Sequence, residues 1–130
     1  MSSGLFNLNG KRALITGSSQ GIGFALAKGL AAEGVEIVLN GRNAEKLASA
    51  AKALEANSLK THQLAFDATD HTAVREAIDG FESASGAIDI LVNNAGMQHR
   101  TALQDFPPEA FEQLLQTNIA SVFHVGQAVA

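Results

Sequence analysis

The chain has 130 residues, 46% of them hydrophobic, with a formal net charge of −4 and no Cys, Trp or Tyr. That length supports one core, and without Cys there can be no disulfide, thiolate nucleophile or thiolate zinc site. No Lys/Arg cluster offers a footprint for nucleic acid or an anionic membrane, no run reaches the ~18 apolar residues of a membrane span, and Met1 to Gly10 do not form a secretory signal.

A soluble, cytoplasmic protein is expected. In chain order, Arg12 to Thr16 reads as a strand, and Ile22, Ala25, Leu26 and Leu30 then recur at helical spacing until Gly34. Glu36 to Asn40 is a second strand, after which Asn43 can cap a helix with the stripe Ala44, Leu47, Ala48, Ala51 and Leu54. Thr61 to Phe66 is a third strand; Asp70 then caps a helix carrying Val74, Ala77, Ile78 and Phe81 on one face. Ile88 to Val92 is the fourth. Pro107-Pro108 opens a last helix with Phe111, Leu114, Leu115, Ile119, Val122 and Val125 at helical spacing. Four strands alternating with helices predict an α/β fold, a doubly wound parallel sheet with helices on both faces. Ligands of such sheets bind beyond the carboxyl ends of the strands, where strand order reverses.

At that edge the first strand runs into Thr16-Gly17-Ser18-Ser19-Gln20-Gly21-Ile22-Gly23. Glycines suit a tight turn, a backbone that approaches a pyrophosphate and a helix that packs on the sheet, while the helix start offers N–H groups to phosphates. Gly17, Ser19, Gln20, Gly21, Ile22 and Gly23 are therefore candidate cofactor contacts. The spacing is neither G-x-G-x-x-G nor a P-loop. It is T-G-x-x-x-G-I-G, and on this motif the chain resembles the short-chain dehydrogenase/reductase family over essentially its whole length. The resemblance implies a Rossmann-type fold, of which these 130 residues would be the first half, acting as one dinucleotide-binding domain.

The end of the second strand reads Asn40-Gly41-Arg42-Asn43, without the carboxylate that would hold the ribose hydroxyls of NAD(H). Arg42 would pair with a 2′-phosphate, which points to NADP(H) rather than NAD(H); the alternative is a solvated surface charge. Asp67-Ala68 matches the family position that contacts the adenine, although locally an Asp there also caps a turn. Asn93-Asn94-Ala95-Gly96 ends the fourth strand and resembles the family's second signature. Its Asn side chains can tie strand ends together, and Asn94, Ala95 and Gly96 are read as cofactor contacts.

Asn118 falls within the apolar stripe of the last helix, where an amide needs partners. It can bond a backbone carbonyl or a buried water and fix packing; in the family, the Asn of this T-N-I context belongs to the catalytic tetrad. The resemblance favours the catalytic role. Gln98 and Arg100, on the loop after N-A-G, could hydrogen-bond a hydroxylated anionic substrate, or simply face solvent. Leu5 to Lys11, Gln20 to Phe24 and N-A-G-M-Q-H-R resemble the gluconate 5-dehydrogenase branch. The His at 62, 71, 99 and 124 show no metal-ligand spacing, so no metal site is expected.

The family's Ser and Tyr-x-x-x-Lys, expected beyond the fourth helix, are not in the chain, and Val122, Phe123, Val125 and Val129 are left without a later element to cover them. The expectation is therefore the amino-terminal half of a reductase of about twice this length, in a homotetramer or homodimer. Its reaction is hydride transfer between NADP(H) and a small-molecule secondary alcohol or ketone, gluconate and 5-ketogluconate first. A 3-oxoacyl-carrier-protein reductase is the alternative within the class, and a non-catalytic NADP(H)-binding module the alternative outside it.

Overall fold

The computed structural model describes residues 6–56 and 60–130. Leu5, which opens the amino-terminal part of the branch resemblance, lies outside the described residues. Four strands, β1 (Arg12–Ile15), β2 (Glu36–Gly41), β3 (Thr61–Ala65) and β4 (Ile90–Val92), form one parallel sheet in the order β3-β2-β1-β4. Strand order reverses between β1 and β4. The register sets Ile15 against both Leu39 and Val92, so the carboxyl ends of the inner strands finish together.

Alternation along the strands divides the core between the two faces of the sheet. Ala13, Ile15, Ile37 and Leu39 point to one side, under α1 (Gly21–Ala32) and α2 (Ala44–Glu55). Leu14 and Val38 point to the other, under α3 (His71–Ser85) and the carboxyl-terminal part of the last helix. Both expected caps are present. The Asn43 side chain accepts from the N–H groups of Glu45 and Lys46, and that of Asp70 from Ala73 N–H.

The face of α1 is not the expected one. Its buried residues are Gly23, Ala27 and Ala31, while Ile22 is 74% exposed and Ala25 and Leu26 are also exposed. Small side chains let this helix lie close over β1 and β2, and a stripe of Gly and Ala gives little hydrophobic periodicity to read. On α2, Ala50 takes a buried place and Ala44 and Ala48 face solvent.

The last helix is interrupted. It runs as α4 (Pro108–Leu115), a π-helical turn over Gln116–Ala120, and α5 (Ser121–Val129). The wide turn shifts the phase of the residues after it, so α5 buries Ser121 and Val125. Val125 thus packs against α3 instead of remaining uncovered, and Val129 is partly buried beside it. Phe111, Leu115, Ile119, Val122 and Phe123 stay exposed. The hydroxyl of Ser121 donates to the Thr117 carbonyl within the turn.

At the far end of the sheet, the Arg12 guanidinium pairs with the Glu36 carboxylate across β1 and β2. Lys60 Nζ lies 3.2 Å from the same carboxylate, and His62 Nε2 approaches it at 3.2 Å without an aligned hydrogen bond. Burial raises the Glu36 pKa, but the hydrogen bonds from Arg12 and Lys60 and the neighbouring positive charge outweigh it and hold the group below its ordinary value.

Candidate functional site

A cleft of about 1330 Å³ opens over the carboxyl ends of the strands. Gly17, Ser19 and Gln20 line it after β1, Asn40 to Asn43 at β2, Phe66 to Thr69 after β3 and Asn94 to Met97 after β4; α4 and its π turn close one side. Its position at the β1/β4 reversal is where a doubly wound sheet takes its ligand.

The glycine loop is shaped by close approach. Gly17 turns with φ 61°, and a Cβ there would stand 3.1 Å from Ala95 Cα. A Cβ on Gly23 would stand 2.5 Å from both Asn94 Nδ2 and the Gly17 carbonyl oxygen, so the start of α1 is pressed onto the loop and the N-N-A-G turn together. Gly21 opens α1 with φ 64°.

Three polar side chains that the sequence reading did not single out hold this arrangement. Asn40 is 2% exposed. Its Oδ1 accepts from Gly17 N–H at 3.0 Å, and its Nδ2 donates to the carbonyls of Leu64 at 3.0 Å and Phe66 at 3.2 Å. One amide thereby joins the glycine loop, β2 and the end of β3. Ser18 Oγ donates to the Ile15 carbonyl at 2.6 Å and accepts from Asn40 N–H at 3.0 Å. Thr16 lies just past β1, and its Oγ1 accepts from the N–H groups of Asn94 at 3.0 Å and Ala95 at 2.9 Å, fixing β4 to β1 at the reversal. Asn94 adds the expected tie, donating from Nδ2 to the Gly17 carbonyl at 3.1 Å. The available signal was a Thr, a Ser and an Asn at strand ends next to the glycines, where backbone groups leave the ladder and need partners.

Gly17, Ser19, Gln20, Arg42, Asp67, Ala68, Asn94, Ala95 and Gly96 all line the cleft, whereas Gly21, Ile22 and Gly23 do not. Arg42 is exposed at the end of β2, with Nη1 3.9 Å from Asp67 Oδ2. Asp67 Oδ1 accepts from the Thr69 N–H at 2.9 Å and the Thr69 hydroxyl at 2.8 Å. Burial raises the Asp67 pKa, but these two hydrogen bonds and the Arg42 charge hold it below the ordinary value. Asp67 is thus a turn-forming carboxylate whose other oxygen faces the cleft cation.

Asn118 is exposed and lies outside the cleft lining, not within a buried stripe as the periodicity suggested; the π turn sets it at the helix surface. Its amide still has both partners. Oδ1 accepts from Met97 N–H at 2.8 Å, and Nδ2 donates to the Met97 carbonyl at 3.0 Å. A Cβ on Gly96 would stand 3.2 Å from that oxygen, so the glycine leaves room for the clamp. Helices depart from α geometry in this way often at functional positions. Gln98 and Arg100 are exposed on the loop beyond the clamp, outside the cleft lining.

The family model for short chain dehydrogenases matches residues 11–130. The chain belongs to the short-chain dehydrogenase family. It is 53% identical over 126 residues to the gluconate 5-dehydrogenase of Gluconobacter oxydans (strain 621H), covering 97% of this chain and 49% of that protein. It is 40% identical to the 5-keto-D-gluconate 5-reductase of Escherichia coli (strain K12), over 96% of this chain and 49% of the relative. A crystal structure of a gluconate 5-dehydrogenase from Burkholderia cenocepacia J2315 in complex with NADP and tartrate superposes with a TM-score of 0.92 at 50% identity, covering 95% of this chain and 49% of that one. The chain spans about half the length of the curated relatives it matches. Among the described residues, no three potential ligands gather to hold a metal, and no helix is long and apolar enough to cross a membrane.

Proposed function

We propose that the chain is the NADP(H)-binding half of an oxidoreductase that interconverts a secondary alcohol and a ketone, with gluconate and 5-ketogluconate as the substrate pair. The single observation that carries the cofactor assignment is Arg42 on the cleft rim at the end of β2, in a stretch from Asn40 to Asn43 that itself carries no carboxylate. A 2′-phosphate would gain a bidentate partner there. The cleft also fits the dinucleotide sterically. Glycines at 17 and 96 and the small Ala95 leave its walls low where sugar and pyrophosphate would lie.

When bound, NADP(H) supplies the hydride acceptor or donor for the substrate carbon. The residues of this chain hold it in place. Asn40, Ser18 and Thr16 fix the loop against which the pyrophosphate lies, Asp67 and Ala68 border the adenine pocket, and Asn94 to Gly96 form the wall beside the ribose. Asn118 positions Met97 and the loop that follows. Gln98 and Arg100, carried on that loop, are the side chains we assign to the sugar-acid hydroxyls and carboxylate. These 130 residues contain no Tyr, so none of them supplies the phenol of the family's proton-transfer pattern. The exposed apolar face of Phe111, Leu115, Ile119 and Phe123 supports a homo-oligomeric protein.

The substrate names of the Gluconobacter and Escherichia relatives support the sugar-acid assignment. The test is NADP+ reduction at 340 nm by the whole protein with a panel of gluconate, other sugar acids and 3-hydroxyacyl thioesters. Turnover of gluconate is expected. Turnover of thioesters alone would replace that substrate with an acyl-carrier one, and NADP(H) binding without turnover of any alcohol would leave a non-catalytic module.

A further inference from the structure

We propose that Lys46 is a second cation for the cofactor's 2′-phosphate, acting with Arg42 and with Ser19 from the glycine loop. This rests on the reading of the cleft as an NADP(H) site and says how that site divides the phosphate's charge. A phosphomonoester carries close to two negative charges at pH 7 and three acceptor oxygens. One guanidinium fork satisfies two of those oxygens and half of the charge. Arg42 is, moreover, already partly engaged, its guanidinium lying 3.9 Å from the Asp67 carboxylate.

The usual supplementary donors are taken. The N–H groups of Glu45 and Lys46 in the first turn of α2 are filled by the Asn43 side chain at 2.9 and 3.1 Å, and that of Leu47 by the Asn43 carbonyl at 3.0 Å. The helix start therefore has little left to offer an incoming phosphate beyond its dipole. Compensation falls to side chains. Lys46 lines the cleft beside Arg42 and Asn43, and it also lines an adjoining hollow of about 440 Å³ shared with Ser19, Gln20 and Phe24. It is exposed, and among the described residues no carboxylate lies within ion-pair distance of its ammonium, although Glu45 borders the same hollow. Ser19 stands on Gly41, its Oγ 3.2 Å from where a Cβ of that glycine would be, and so brings a hydroxyl to the end of β2 in the cleft that Arg42 and Lys46 also line. A compact ammonium on a four-carbon stem can follow the phosphate, whereas the planar guanidinium fixes its orientation.

The test is calorimetric titration of the protein with 2′,5′-ADP and with 5′-AMP, which lacks the 2′-phosphate, in the wild type, Lys46→Gln, Arg42→Ala and the double variant. Gln removes the charge while keeping an unbranched polar side chain and the helix propensity, and melting curves of the variants verify that the fold is retained. Lys46→Gln is expected to weaken 2′,5′-ADP by about five- to tenfold and to leave 5′-AMP within about twofold. The double variant should bind the two ligands equally. If Arg42→Ala weakens 2′,5′-ADP and Lys46→Gln does not, Lys46 has no part in the subsite and the NADP(H) reading stands without it. If the wild type itself binds both ligands equally, the NADP(H) reading fails and this inference with it.

Discussion

Replacing Asn40 with Ala removes one side chain and strands three backbone groups at the joint between the glycine loop, β2 and β3. Gly17 N–H loses its acceptor, and the carbonyls of Leu64 and Phe66 lose their donor. Two of these bonds are half-buried and the third is buried, so water can relieve them only in part. At roughly 1 kcal/mol for each bond, and somewhat more for the buried group left unpaired, the loss is about 3–4 kcal/mol. An unfolding entropy of about 2.1 cal/mol/K per residue makes this a fall in Tm of about 10–15 °C for a chain of this length. Thermal and urea unfolding followed by far-UV circular dichroism measures it. Asn93→Ala is the control, because Asn93 is exposed at the same rim with no side-chain hydrogen bond among the described residues; it should stay within about 0.5 kcal/mol of the wild type. Loss of less than about 1 kcal/mol in Asn40→Ala, or equal losses in the two variants, would refute the account of Asn40 as the joint of the site.

Two glycines of α1 should respond in opposite directions. Gly23→Ala forces a methyl onto Asn94 and the Gly17 carbonyl and should cost about 1–3 kcal/mol along with nucleotide binding. Gly29→Ala, with open space around its Cβ position, should stabilise by about 0.5–1 kcal/mol in the same unfolding assay. Glu36 has a folded pKa below its ordinary 4.5, so its contribution is present above that value and is lost as pH falls through the lower, folded one. Glu36→Gln should therefore be less stable than the wild type by about 1–2 kcal/mol at pH 7, with the gap narrowing in a pH series of urea midpoints as pH falls below the ordinary carboxylate range and through the lowered folded pKa. Asn118→Ala should cost about 1 kcal/mol or less in stability because its bonds are exposed, yet hydrogen exchange at the Met97 amide should accelerate. Unchanged exchange there would contradict the clamp.

The amino-acid sequence displayed the parts of the fold that depend on local pattern. Ile37 to Leu39 is an apolar run that only a strand buried on both faces requires, Asn43 and Asp70 stand where a helix must be capped, and Pro108 sits at a first helical position. Gly17 was legible because a tight turn with positive φ demands glycine. Asn40 was not, since its partners lie 23 to 26 residues away in sequence and become neighbours only once β1, β2 and β3 pair. The face of α1 was misread because the Gly23, Ala27 and Ala31 stripe is defined by how closely the helix approaches the sheet, not by apolar bulk. The π turn had no signature of its own; the run from Phe111 to Val125 keeps helical spacing through it, and only the tertiary pairing of Asn118 with Met97 marks the place where the ladder widens.

Titration of NADPH and NADH into the wild type and Arg42→Ala, followed by nicotinamide fluorescence, tests whether this cleft holds NADP(H) through its 2′-phosphate. The wild type should bind NADPH more tightly than NADH, and the variant should lose about tenfold or more for NADPH with NADH little changed. Equal losses for the two cofactors, or a wild type that prefers NADH, would contradict that mode of binding.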